Sequence, residues 1–181
     1  GAHWSVFADG KRSLQSVKPL PATARQRVHG YLLDKSVSIS NGACAMHRDV
    51  FAPGNYPEHL RNVEDIPVFA QVLARFPCSV LSQPLALIYK HADSMRHDLT
   101  QSLAAGTEMV NDVFSPARMP QELHDLREAF LVQRCLSLFR DCYVGGEYKM
   151  ARKFYFRALR SDWRTLMRWS YTRKAARLLF R

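Results

Sequence analysis

Several features are scarce in this chain, and each scarcity removes a class of protein. The four cysteines, Cys44, Cys78, Cys135 and Cys142, form no Cys-x-x-Cys pair, and the closest two lie seven apart, which fits no common zinc spacing. They read as buried reduced thiols of a cytosolic protein. No apolar run approaches the ~20 residues that a membrane-spanning helix requires. Gly1-Ala2-His3-Trp4 holds no initiator methionine, no basic n-region and no apolar h-region. No signal peptide is read there, and the chain is expected to begin inside a larger structure. Acidic residues are few, 16 Asp and Glu against 26 Lys and Arg.

What is present can build a core. The 181 residues are 47% hydrophobic, enough for one ordinary domain or a small domain with an appendage. The charge is uneven. Residues 147–181 carry eleven Lys and Arg against Glu147 and Asp162, which is +9 of the chain's +10. A nearly neutral body thus bears a strongly basic tail, and such a tail seeks phospholipid, nucleic acid or an acidic protein face.

Along the chain, His3 to Phe7 alternates and Asp9-Gly10 signals a turn, so residues 3–17 read as a strand, a tight turn and a second short strand. Thr23 caps a short helix to about Leu33. Residues 36–46 start as an alternating strand and become a small-residue stretch, and 47–51 is one helical turn. Val68, Phe69, Val72, Leu73 and Phe76 recur at helical spacing. Pro67 suits the first turn of that helix and Pro77 ends it. Residues 78–90 read as a strand broken at Gln83-Pro84. From about Leu99 only helical patterns remain, at 99–113, 121–143, 147–160 and 163–180. This divides the chain into residues 1–98 and a helical region, 99–181. Gly145-Gly146, Tyr148, Ala151 and Ala158 resemble one tetratricopeptide helix pair, but no second copy follows, and an ordinary helical hairpin serves as well.

Three places could carry chemistry. Glu64-Asp65 puts two carboxylates at a helix N-terminus, where the dipole favours the anion by roughly 0.3–1 kcal/mol and keeps it ready to accept a proton. The plainer alternative is Asp65 as an N-cap with Glu64 as its solvated neighbour. Asn41-Gly42-Ala43 offers small residues that a ligand could approach closely, or simply a tight turn. His91, after the apolar strand, could bind a divalent metal, or be a surface or hydrogen-bonded histidine.

Order and spacing join the three. A small-residue Gly loop precedes Pro-Gly-x-Tyr-Pro-Glu (53–58), then Glu-Asp opens a helix, then a strand ends Tyr-x-His-x-x-Ser (89–94). This resembles the second half of a family-2 glycosyltransferase of the GT-A fold, over about residues 1–97. The resemblance implies an α/β, Rossmann-like half-domain followed by helices. It implies that Asp65 is the catalytic base on an acceptor hydroxyl and that Glu64 positions the acceptor. It further implies that Asn41, Gly42 and Ala43 line the sugar-nucleotide pocket, and that His91 helps hold a divalent metal, Mg2+ or Mn2+. The implied reaction is inverting transfer of one sugar from a nucleotide-sugar donor to a saccharide or lipid-linked acceptor, in cell-surface glycan or polysaccharide synthesis.

Departures from the family pattern bound the expectation. The chain contains no Asp-x-Asp, which in that family binds metal and diphosphate, and no nucleotide-binding half. Gln71 stands where many relatives have an Arg. Arg164 to Trp169 is not the Gln-x-x-Arg-Trp motif of processive synthases, which points to addition of a single sugar. The chain alone is therefore expected to be inactive. In residues 163–181, Trp163, Leu166, Met167, Trp169, Tyr171, Leu178 and Leu179 share a segment with six basic residues. Such a helix can lie on the anionic inner face of a membrane, making the protein cytoplasmic and peripheral. It can equally pack on the body. The competing readings are nucleic-acid binding, for which no reader motif is present, and a non-catalytic basic helical module.

Overall fold

The computed structural model describes residues 1–90 and 99–179. The expected α/β half-domain does not form. Helix occupies 54% of the chain, and the only described sheet has three strands, so this is a mainly helical protein with a small sheet at one side.

The sheet has the order β2-β1-β3. Strands β1 (His3–Val6) and β2 (Arg12–Gln15) form an antiparallel hairpin, paired from His3↔Gln15 to Val6↔Arg12. Its turn needs Gly10 at φ +81, a conformation that costs glycine nothing. Of the strand expected over 78–90, only β3 (Ala86–Tyr89) forms, parallel to β1. Residues 36–46 form no strand. Val37 and Ile39 turn into a helical core, and Asn41–Ala43 is a single 3-10 turn. Alternation of small polar and apolar residues suits an extended loop as well as a strand, and only a paired neighbour makes it a sheet.

Helix α1 (Ala24–His29) opens on a capping box between Thr23 and Gln26 and runs into a wider π-helical turn, Gly30–Asp34. Helix α2 (Asp65–Arg75) buries Val68, Phe69, Ala70 and Leu73, and it stops where Phe76 turns extended before Pro77. These two helices pack with α3 (Leu99–Ala105), α4 (Met109–Val113) and the start of α5 (Leu126–Val144) around one core. That core runs in sequence from Val28 to Phe130, across the change of texture near residue 99.

Helix α5 is 19 residues long, about 28 Å, and spans two cores. Its first turns enter the core just described. Cys135, Leu136, Leu138, Phe139 and Cys142 enter a second core with α6 (Tyr148–Ser161) and α7 (Trp169–Leu179). Gly146, at φ +80, turns α5 into α6. Arg134 on α5 donates to Gly106 O at 2.9 Å and Ser102 O at 3.0 Å, closing the carbonyl end of α3. No described helix is long and apolar enough to cross a membrane.

Candidate functional site

The site is built at the mouth of α2. Asn62 at φ 70 turns the chain into the helix. Glu64, not Asp65, takes the N-cap position, and its side chain makes no capping hydrogen bond. Asp65 is the first helical residue. The sequence alternative, Asp65 as the cap, therefore does not describe this helix. Its carboxylate still lies at the positive end of the dipole.

Asp65 has neighbours from three separate loops and helices. It acts electrostatically on Tyr31 in the π-helical turn, on Cys44 just after the 41–43 turn, and on Tyr56 in the proline loop. Burial, then the charge of Asp65, then Tyr56 push the Tyr31 phenol far upward, so it stays a neutral hydroxyl. The Tyr56 phenol is raised by burial first, then by Cys44, Asp65 and Glu64. It donates towards Asn41 Oδ1 at 3.5 Å, which ties the proline loop to the 41–43 turn. Glu64 contributes an oxygen, Oε2, that is buried with no hydrogen-bond partner among the described residues. A buried carboxylate oxygen without a donor is costly, and a ligand hydroxyl would relieve that cost.

The 41–43 turn rests against the sheet. The amino group of Gly1 donates to Ala43 O at 2.6 Å. A Cβ on Gly42 would meet Ile88 Cδ1 at 3.4 Å, an ordinary contact, so sterics do not by themselves require glycine there. The structure thus brings Asn41, Gly42 and Ala43 into one neighbourhood with Glu64 and Asp65. His91 lies outside the described residues. Sequence reasoning missed Tyr31, Cys44 and Tyr56 as site residues. Only the Pro-Gly-x-Tyr-Pro spacing around Tyr56 hinted at an exposed loop.

Beside this cluster is a cavity of about 890 Å³ between the inward face of the sheet and the 35–47 loop. His3, Ser5, Ser40, Cys44, His47 and Lys90 are among its walls. It shares Cys44 with the neighbourhood of Asp65, while Glu64, Asp65 and Tyr56 are not among its walls. On the opposite face of the sheet Leu14, Leu87 and Tyr89 are each about half exposed, while Val6 between them is buried.

A buried clamp holds the proline loop in place. Gln71 on α2 is fully buried, and its Nε2 donates to Val50 O at 2.8 Å and Gly54 O at 2.6 Å. Arg118 donates to Gln71 Oε1 at 2.6 Å and to Gly54 O at 3.1 Å, and its other terminal nitrogen donates to Asn55 O. The fit is tight enough that a Cβ on Gly54 would sit 2.5 Å from Arg118 Cζ.

Among the described residues no three His, Cys, Asp or Glu side chains gather as a metal site. His91, the expected metal ligand, is not among them. Comparison of the chain with protein-family models, with curated proteins and with solved structures gives no match.

The cluster makes a prediction that needs no activity. Burial raises the Cys44 thiol, the amino terminus lowers it, and the Asp65 charge raises it further. Cys44 should therefore be alkylated by iodoacetamide more slowly than a free thiol at neutral pH, since the thiolate is the nucleophile. Asp65→Asn removes one raising charge, the smallest of the three influences, so the thiol should ionise at lower pH and react faster. Peptide mass spectrometry of Cys44 against pH reads this out. An unchanged profile would place the Asp65 charge elsewhere.

Proposed function

We propose that this chain carries the acceptor-side catalytic base of an inverting glycosyl transfer, with Asp65 as that base. One observation carries the reading. The Asp65 carboxylate and a Glu64 oxygen that has no hydrogen-bond partner among the described residues stand together at the start of one helix, within electrostatic range of Tyr56 and Cys44. A cavity of small-molecule size that shares Cys44 with this neighbourhood adds support.

In this reading a second hydroxyl of the acceptor donates to Glu64, and the attacking hydroxyl donates to Asp65. As its oxygen attacks the anomeric carbon of the donor sugar, Asp65 takes the proton. The bond from that carbon to the diphosphate oxygen breaks, its electron pair leaves with the nucleoside diphosphate, and the configuration inverts. Tyr56, kept protonated, holds the proline loop to Asn41. The donor is a nucleotide-sugar and the acceptor a saccharide, free or lipid-linked. The divalent cation that would accompany the diphosphate belongs with a donor-binding half that supplies Asp-x-Asp, a motif absent from these residues.

The test is a transfer assay with a panel of nucleotide-sugars and saccharide acceptors, followed by mass spectrometry. Residues 1–181 alone are expected to give little or no product. The same chain joined to a donor-binding half is expected to turn over. Rapid transfer by residues 1–181 alone would overturn the division of labour proposed here. Absence of transfer by the joined chain across the panel would overturn the function.

A further inference from the structure

The basic tail is not a free amphipathic helix. Its apolar residues separate into two groups that the sequence does not distinguish. Ala175 and Leu178 of α7 are buried in the second core, with Tyr171 packed partly against it. The face of α7 that would lie in a bilayer is thus already used against the protein.

The second group sits on the elbow before α7. Residues Trp163–Met167 form a 3-10 turn between α6 and α7. Trp163 is 66% exposed, Leu166 48%, Met167 76% and Trp169 69%. Four large apolar side chains within seven residues therefore face outward. Isolated exposed apolar residues are ordinary, but a clustered patch marks an interaction surface.

The elbow is held rigidly from behind. Asp162 accepts from Arg164 N at 3.0 Å and caps the turn. Thr165 is fully buried, and its hydroxyl donates to Ala158 O at 3.4 Å. The Thr172 hydroxyl donates to Leu166 O at 2.9 Å and accepts from Tyr155 OH, also at 2.9 Å. Two tryptophans are thus presented outward at little further entropic cost on binding.

Basic residues flank this wedge along the chain, on α6, in the turn and on α7. Lys153, Arg157, Arg160, Arg164, Arg168, Arg173 and Arg177 are all exposed. Among the described residues none of them forms an ion pair with an acidic side chain. Their charge is left for something outside the fold.

We infer that this elbow is a membrane-docking wedge, with Trp163, Leu166, Met167 and Trp169 entering the interface of an anionic phospholipid bilayer and the flanking arginines facing its headgroups. The choice of occupant follows from the pairing of features. Tryptophan favours the boundary between headgroups and chains. A surface of like positive charge complements an anionic leaflet, with a gain of about fivefold in partition per basic residue near it. A nucleic acid would use the arginines but has no comparable use for exposed leucine and methionine. This inference does not depend on the catalytic reading.

The test is co-sedimentation of the 181-residue chain with phosphatidylcholine vesicles, with and without about 30 mol% phosphatidylglycerol. Binding to the anionic vesicles is expected, with a blue shift of tryptophan emission, and little binding to neutral ones. The double variant Trp163→Ser, Trp169→Ser should lose at least ~10-fold in partition and lose most of the blue shift, while its thermal midpoint stays put because both side chains are exposed. Arg160→Gln, Arg164→Gln and Arg173→Gln together should cost about 100-fold in partition. No binding to anionic vesicles would overturn the inference. So would unchanged binding by the tryptophan variant, or displacement from vesicles by RNA with unshifted emission.

Discussion

Asp65→Asn is expected to reduce glycosyl transfer ~10²–10⁴-fold, measured in a chain that carries a donor-binding half ahead of Gly1. Asparagine keeps the size of the side chain and removes the lone pair that accepts the proton. The attacking hydroxyl must then lose its proton to water, and the barrier rises accordingly. The fold should barely notice. Asp65 opens α2, its side chain is only partly buried, and the lost dipole interaction is about 0.3–1 kcal/mol. Circular dichroism should give a melting curve shifted by no more than ~4 °C. Activity lost with an intact melt identifies a chemical role. A large loss of stability would assign Asp65 to the scaffold, and full activity would remove it as the base.

The second large effect falls on stability. Gln71→Leu should destabilise the fold by ~2–4 kcal/mol, because it removes one member of a buried polar network and leaves the others buried. Val50 O loses its amide donor, and Arg118 Nη1 loses the carbonyl oxygen it donates to at 2.6 Å. The guanidinium is then a largely buried cation with fewer acceptors, and burial already disfavours its charged form. Volume is nearly conserved, so no cavity term complicates the result. Urea unfolding followed by circular dichroism should show the midpoint fall with an unchanged slope. The consequence for the site is positional. The Gln71–Arg118 clamp holds Gly54 and Asn55, next to the Tyr56 that faces Asp65. A variant as stable as the parent would mean that the clamp carries no net energy.

Much of the local structure is legible in the sequence, for local reasons. The β1–β2 hairpin follows from alternation around Asp9-Gly10. The start of α1 follows from Thr23 and Gln26, three apart as a capping box requires. Helix α2 follows from its apolar spacing between Pro67 and Pro77, and the helical second half from apolar residues at helical spacing. Each signal acts within a few residues, so it survives without knowledge of the fold.

The class of the fold is not legible in that way. Residues 36–46 and 78–85 carry alternation that a sheet could use, yet only Ala86–Tyr89 finds a partner, and that partner is β1, about eighty residues away. A strand exists only by pairing, and pairing over such a distance is decided by what else packs nearby. Here Val37 and Ile39 pack into the helical core instead.

By itself the sequence determined the helix that places Asp65 at a positive N-terminus, and the excess of basic charge in the last fifth of the chain. Composition and short-range spacing are enough for both. Tertiary structure alone decided that Glu64 takes the cap, that Tyr31, Cys44 and Tyr56 fall within electrostatic range of Asp65, and that Arg118 completes Gln71. It also decided which aromatic residues of the tail go inward and which remain outside. These outcomes depend on contacts between residues far apart in the chain. Burial rewards whichever apolar face meets the core first, and no local pattern records which face that will be.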